Sequence, residues 1–279
     1  MFSVRFRSTS HIILKCCCLF AVTPALSASK AAFFAPLSSS RQQMTRSQMI
    51  DPLQELDLPR PLILGSGSFT RKLILSEMGI NFQVIKRPIH EQGIGDRKND
   101  TPHDLVLTLA KAKADFLISE IQAGHCDDEL PEQRTHWIVL TGDQVVTHQG
   151  DILEKPESVD QAKEFCARYA ISPPSTVGSC VLTHLPSMQQ VSGVDSATIV
   201  FRSSIADKNE KGLDLIDRLL LDDAPVLDCA GGLMVEHPFV REHLERIEGT
   251  EDSVMGLSKD LVMKLLKELK ETLQEQNLL

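Results

Sequence analysis

The first 50 residues contain no aspartate or glutamate, although the 279-residue chain carries 38 of them. Six of its 29 basic residues (Arg5, Arg7, Lys15, Lys30, Arg41, Arg46) fall in that stretch. Residues 51–279 therefore carry a net −15, against −9 for the whole. So acidic a body lacks the basic face needed to track a nucleic-acid backbone, and no nucleic-acid partner is expected. Cysteine is present but unpaired in pattern. Cys16, Cys17 and Cys18 cluster near the start, Cys126, Cys166, Cys180 and Cys229 lie far apart, and no C-x-x-C occurs. This excludes a disulfide framework and a structural zinc site as the default reading. There is no His-Glu-x-x-His for a zinc hydrolase and no Gly-x-Ser-x-Gly elbow for acyl transfer. Nor is there an uninterrupted apolar run of the ~20 residues a membrane helix needs.

The acid-free segment has the composition of a targeting leader. Ile12–Ala28 is apolar apart from Lys15, Thr23 and Ser27, follows a basic start and leads into small residues. Lys15 and Pro24 interrupt it, so a removed signal fits better than a membrane anchor, and no membrane contact is expected of the mature form. Ala31-Ala32-Phe33-Phe34-Ala35-Pro36 and a Ser/Arg-rich stretch follow. Together the two halves resemble the bipartite plastid-targeting leaders of algae with secondary plastids. Plain secretion, a mitochondrial presequence and a cytoplasmic protein are the alternatives. The folded body is expected from about residue 60 to 279 as a single domain, without internal repeats or flexible linkers.

Within that body, strand and helix signals alternate, which points to an α/β fold. Pro61–Leu64 reads as a short strand, followed by Gly65-Ser66-Gly67-Ser68 and a helix over Thr70–Met78. Phe82–Ile85 reads as a second strand. Thr101-Pro102 opens a helix to about Ile121. Trp137–Leu140 is a buried strand ending at Thr141-Gly142-Asp143, and Gln144–Thr147 continues extended to a turn at Gln149-Gly150. Ser158 and Gln161 form a capping box for Val159–Tyr169. Val177–Thr183 and Thr198–Phe201 are β-rich, and Leu257–Leu273 carries leucines at helical spacing.

Four constellations could carry chemistry. In Gly65-Ser66-Gly67-Ser68-Phe69-Thr70-Arg71-Lys72, a strand turns into a helix and presents free backbone N–H groups, two hydroxyls and a guanidinium. Anions bind such places, although a plain turn with a helix cap explains the stretch equally well. It is no Rossmann fingerprint, because Thr70 stands where the third glycine belongs, and no Walker loop. Asp143 ends an apolar strand beside a glycine, where open α/β sheets place their sites; a turn or cap acid is the plainer alternative. Lys155, in Glu154-Lys155-Pro156, projects from an extended segment, since Pro156 disfavours helix before it; a solvated surface charge is the alternative. Lys113 shares the apolar face of its helix with Leu109 and Phe116, so it either snorkels or delivers charge to an anionic ligand. In Asp228-Cys229-Ala230-Gly231-Gly232 through Glu236, glycines could make a close backbone wall with one carboxylate projecting. Cys229 has no basic neighbour in sequence and reads as a small buried residue.

Taken together, these segments resemble the Maf family of nucleoside triphosphate pyrophosphatases in order and spacing. The anchors are Leu62–Ser68 through Arg71, Leu109-Ala110-x-x-Lys113-Ala114, Gly142-Asp143-Gln144-Val145-Val146 and Glu154-Lys155-Pro156. Phe201-Arg202, Cys229-Ala230-Gly231, Glu245–Gly249 and Val254-Met255-Gly256-Leu257 complete the series. The resemblance implies a central, mostly mixed sheet flanked by helices, with an active-site cleft between two lobes, and a homodimer. It also implies hydrolysis of a nucleoside triphosphate to monophosphate and pyrophosphate with Mg²⁺ or Mn²⁺, as house-cleaning of non-standard nucleotides. By position, Asp143 is the proton acceptor, with Lys113 and Lys155 as catalytic cations. Ser66, Ser68, Thr70 and Arg71 line the substrate. Glu91 matches an early acidic residue that joins Asp143 at the metal. Gln144, Cys229-Ala230-Gly231 and Glu236 place the chain nearer the branch associated with 7-methyl-GTP, and the segment from Ala230 to Pro238 looks most like plant and algal members. Thr70 departs from the family, which often has an aromatic residue there. A dTTP/UTP pyrophosphatase, or a non-catalytic nucleotide-binding regulator of cell division, are the alternatives the family allows.

Overall fold

The computed structural model describes residues 50–130 and 136–279. The expected leader lies outside the described residues. Packing begins upstream of residue 60: a short helix α1 (Pro52–Glu55), capped by Asp51, buries Leu53 completely, and Leu58 follows it into the same core.

A single eight-stranded mixed sheet organises the rest. Strand β1 (Leu62–Leu64) is flanked in parallel by β2 (Phe82–Val84) and β3 (Trp137–Thr141). The other pairings are antiparallel. β3 and then β4 (Gln144–His148) lie along one edge of β6 (Ser175–Leu185), β5 (Asp151–Leu153) pairs β4, and β7 (Gln190–Phe201) runs along the other edge of β6. β8 (Leu244–Glu248) closes the far side against β7. Gln149 and Gly150 both take positive φ, 51° and 91°, the two-residue hairpin turn that joins β4 to β5.

β3 and β4 are one strand in register. Thr141 faces Val181 and Gln144 faces Gly178, so the count across β6 is unbroken through Gly142 and Asp143. What breaks is the outer edge. β1 leaves after Leu64–Leu140, with the Gly65 amide donating to Leu140 O, and β5 joins only at Val146–Leu153. Asp143 sits in the gap between those two neighbours.

The period-2 alternation of this composite strand sorts its side chains onto two faces. Val139, Thr141, Asp143 and Val145 face α3 (Pro102–Gln122). Ile138 and Leu140 pack in a core with α2 (Phe69–Glu77) and α8 (Lys259–Glu275), and Val146 joins a second core with α4 (Val159–Tyr169) and α5 (Leu215–Leu221). On the α2/α8 side, the apolar cores thus change over where Gly142 and Gln144 interrupt the apolar run.

Three readings needed correction. The C-terminal leucine series forms one helical face from Leu261 to Leu273 on α8, but its first member, Leu257, precedes that helix: α7 (Glu251–Met255) ends at Gly256 with φ 111°, and α8 starts behind Ser258, whose hydroxyl accepts from Leu261 N. Leu257 is buried in the join. β7 extends to Gln190, eight residues before the predicted start, because its first two-thirds, Gln190–Ala197, is rich in polar residues and contains a glycine and is specified by pairing with β6 rather than by its own pattern. In the capping box, Ser158 accepts from Gln161 N, but the Gln161 side chain reaches Glu157 N instead of the cap residue's own amide.

Candidate active site

The loop after β1 is built around its serines. Ser68 caps α2, accepting from Arg71 N at 3.3 Å, and shares a hydrogen bond with Thr70 Oγ1 at 2.9 Å. Ser66, nearly buried, accepts from Ser68 N and from Arg71 Nη1, each at 3.2 Å. Arg71 is therefore more than a phosphate fork. Its Nη1 also donates to Gly142 O at 3.0 Å and its Nε to Gly256 O at 3.0 Å, which ties the loop to the Asp143 strand and to the end of α7. Burial lowers its pKa and the nearby Asp143 charge partly restores it. Nη2 is the one guanidinium nitrogen with no protein acceptor among the described residues, and remains for an incoming anion.

Gly142 is required by the strand pair itself. A Cβ built there would stand 2.5 Å from Ser179 O, a backbone atom that cannot swing aside. At the next position the ladder is altered: Ser179 N donates to Asp143 O at 2.9 Å, but the Asp143 amide goes to Ser179 Oγ at 3.1 Å. That hydroxyl in turn donates to Val106 O of α3 at 2.8 Å, and Thr141 Oγ1 donates to Ala110 O at 2.8 Å. Two buried hydroxyls thus latch successive turns of α3 onto the strand. One further turn along the same helix face is Lys113.

Lys113 Nζ lies 2.5 Å from Asp143 Oδ1 and 2.9 Å from Glu91 Oε1. The Asp143 side chain is 12% exposed, Lys113 21% and Glu91 43%, so the group opens outward on the Glu91 side. Gln144, on the opposite face, donates its amide to Val254 O at 2.9 Å and to Ser253 O at 3.3 Å. Its nitrogen caps the end of α7, which leaves its oxygen, crowded against Gly256, as the free polar atom. Nine positions therefore join in one run of contacts: Ser66, Ser68, Thr70, Arg71, Gly142, Asp143, Gln144, Lys113 and Glu91.

Lys155 and Glu236 lie outside that run of contacts; each acts on the Cys229 thiol, so both flank the Cys229–Gly232 segment. The chain leaving β5 at Leu153 follows the edge of β4 that leads to the gap at Asp143, but Lys155 itself is exposed and makes no hydrogen bond or ion pair among the described residues, so no contact joins it to the Asp143 group. The Glu154 carbonyl accepts from Gly231 N at 3.0 Å and Tyr169 Oη donates to Gly231 O at 2.8 Å. Those bonds pin the Cys229–Gly232 wall against the lysine segment. Gly231, with φ 70°, has Val146 and Tyr169 where a Cβ would go. Burial pushes the Cys229 thiol up to about 12, and Glu236 and Asp228 add to the rise, which disfavours the thiolate a nucleophile needs. The Glu236 carboxyl is raised chiefly by burial, with Glu251 adding to the shift and Arg241 opposing it.

One cation escaped the sequence reading. Lys86, just past β2, lays its stem across Gly67, with Cδ, Cε and Nζ within 3.1–3.4 Å of where a Gly67 Cβ would be. A lysine after a strand reads as a solvated charge. Only the parallel pairing of β1 with β2 puts it beside the serine loop.

Among the described residues no cluster of three or more His, Cys, Asp or Glu could hold a metal ion unaided. Asp143 and Glu91 nevertheless aim one oxygen each at a single point, marked by Lys113 Nζ. Two carboxylates completed by substrate phosphates and water are a donor set that suits Mg²⁺ or Mn²⁺.

The Maf-like protein family matches residues 61–269. A 7-methyl-GTP pyrophosphatase of Dictyostelium discoideum is 35% identical over 210 residues, covering 75% of this chain and 98% of that protein. A nucleoside triphosphate pyrophosphatase of Salinispora tropica is 29% identical over 213 residues (76% and 85%), and a dTTP/UTP pyrophosphatase of Lachnoclostridium phytofermentans 25% over 226 residues (75% and 93%). On the extent of the family match and the near-complete coverage of the Dictyostelium relative, the chain belongs to the Maf family.

Proposed function

We propose that this chain is a nucleoside triphosphate pyrophosphatase that converts a triphosphate, of the 7-methyl-GTP type, to the monophosphate and pyrophosphate with a divalent cation. The observation that carries the reading is the gap at Asp143. There a partly buried acid stands between the serine–arginine loop after β1 and the Lys155 segment after β5, on a helix-borne lysine.

The reaction forms a bond from a water oxygen to the α-phosphorus and breaks the bridge to the β-phosphorus. The bridging oxygen leaves with pyrophosphate, and one water proton goes to a base. Asp143 is that base, held in place by the Ser179 bond to its own amide and by the Gly142 carbonyl bond to Arg71. Arg71 Nη2, the Ser66 and Ser68 hydroxyls and Lys86 supply donors along the phosphate chain, and Lys155 arrives from the other side of the gap. In a body of net −15 these cations focus a local attraction for a polyanion. Asp143 and Glu91 would hold the cation, which when bound polarises the phosphoryl oxygens and neutralises charge that develops on the leaving group. Glu236 offers acceptors for the N1–H and N2–H₂ edge of a guanine.

A panel of normal and modified triphosphates, scored with Mg²⁺ or Mn²⁺ for both products, tests the assignment. Asp143→Asn should fold normally and lose at least about a hundredfold in kcat. Binding of nucleotide without turnover in the wild-type protein would favour a non-catalytic regulator, and preferential cleavage of dTTP and UTP would move the chain to the other branch.

A further inference from the structure

Lys113 occupies the point on which both carboxylates converge. Its ammonium is in contact with Asp143 and Glu91 at once, at 2.5 and 2.9 Å. The position is not an accident of a long side chain: the latches from Thr141 to Ala110 O and from Ser179 to Val106 O fix α3 one turn before it. We infer that Lys113 is a built-in stand-in for the divalent cation, neutralising the acid pair in the nucleotide-free protein and excluding the free ion until a triphosphate arrives.

The charge count gives the reason. Asp143, Glu91 and Lys113 together carry −1. A divalent ion added while the ammonium stays would face it across the shared oxygens and turn the group positive with no anion to balance it. Two cations cannot occupy one point, so the ammonium has to leave the pair first. Alone it has no other protein partner to turn to, because among the described residues its only ion pairs are those with Asp143 and Glu91. A triphosphate changes that: its oxygens offer Lys113 new acceptors and bring negative charge that accommodates both cations. Metal and nucleotide therefore enter as a complex, and the lysine that held the acids apart from solvent ions turns to the phosphates. Two adjacent carboxylates left without a counterion would repel each other, which is the cost the lysine removes in the resting protein.

This inference rests on the pyrophosphatase reading for the identity of the anion, but its test does not. Mn²⁺ alone is titrated into the full chain without nucleotide, followed by the paramagnetic signal of the free ion. Wild type should bind weakly, and Lys113→Met at least about tenfold more tightly, a difference of ~1.4 kcal/mol. Lys113→Arg, which keeps a cation at the point, should stay at the wild-type level, and adding Asp143→Asn to Lys113→Met should abolish the gain. In wild type, a triphosphate analogue with a methylene bridge in place of the α–β oxygen should raise Mn²⁺ affinity; in Lys113→Met it should add much less. Tight Mn²⁺ binding by wild type without nucleotide, no gain in Lys113→Met, or a gain that survives Asp143→Asn would each overturn the proposal. Circular dichroism and melting of each variant establish folding. Should Lys113→Met not fold, Lys113→Gln and the wild-type analogue titration decide the question. If no triphosphate is cleaved while the Lys113→Met gain appears, the function fails and the stand-in survives.

Discussion

Asp143 and Glu236 show how one functional group, the carboxyl, takes two roles from its surroundings. Asp143 meets a lysine at 2.5 Å and a backbone framework that fixes it, whereas the Glu236 carboxyl is half-buried, partly desolvated, and has the like charge of Glu251 nearby. Burial raises the Glu236 pKa above its ordinary 4.5. In the window from about that value upward, the folded protein holds a proton that the unfolded chain has released, so this group makes stability fall as pH rises through it. Glu236→Gln removes that term. It should raise the melting temperature at pH 7–8, and the gain over wild type should shrink toward pH 4. The same variant tests recognition: its rate ratio for guanine over uracil or thymine triphosphates should drop, and unchanged ratios across the panel would remove Glu236 from base reading. A stability gain with unchanged ratios would mark the carboxyl as merely buried.

At the level of elements, the composite β3–β4 strand and α3 do most of the positioning, and they differ in how far the sequence announces them. α3 was readable to within a residue, because Thr101 caps it, Pro102 opens it and its leucines hold the helical spacing. The strand was readable as two pieces. That they form one strand in unbroken register depends on β6, which is far away in sequence, and no local pattern states it. The same limit hid β8 and the first two-thirds of β7, which are rich in polar residues and become strand only by pairing. Asp143 stood out locally as a strand-end acid beside a glycine and Lys113 as a lysine on an apolar helix face, each with a plainer alternative, whereas Glu91 came only through the family resemblance. Lys86 matched no motif and needed the β1–β2 neighbourhood. The glycine between the two strand pieces carries the sharpest prediction at this scale. Gly142→Ala would drive a Cβ into Ser179 O, and the backbone has to part there. It should cost about 1–3 kcal/mol in chemical denaturation and reduce kcat more than KM, since it displaces Asp143 and the Arg71-bound carbonyl together. Ser179→Thr should retain the latch to Val106 O and most activity, while Ser179→Ala should lower kcat. Equal activity of Ser179→Ala and wild type would show that the hydroxyl positions nothing that matters to turnover.

For the whole molecule, pH acts through a few buried or half-buried groups spread over the sheet and its flanks as well as through the acidic net charge of −9. At the β6 end, His184 is fully buried, with Nε2 3.3 Å from His136 Nδ1 and Nδ1 2.7 Å from Ser187 Oγ. Burial, and then repulsion from His136, depress its pKa below the ordinary 6.5. His243, beside Ser204 near β8, is depressed mainly by burial. For such a group the unfolded chain binds the proton first as pH falls, so folding stability drops below about pH 6.5 and continues to drop until the folded imidazole itself is protonated. Glu236 acts with the opposite sign in the carboxylate range, and the acidic surface also relaxes its self-repulsion as it takes up protons. These terms oppose each other below pH 6.5, so the net slope depends on which is larger. One displaced proton gives at most ~1.4 kcal/mol per pH unit. His184→Asn, which keeps a polar side chain toward Ser187 but cannot charge, isolates the imidazole term. Denaturation midpoints taken from pH 5 to 8 should converge for the two proteins at the acidic end relative to their separation at pH 8, because only wild type loses stability through His184. Parallel curves would mean that His184 is protonated as easily in the folded protein as in the unfolded chain.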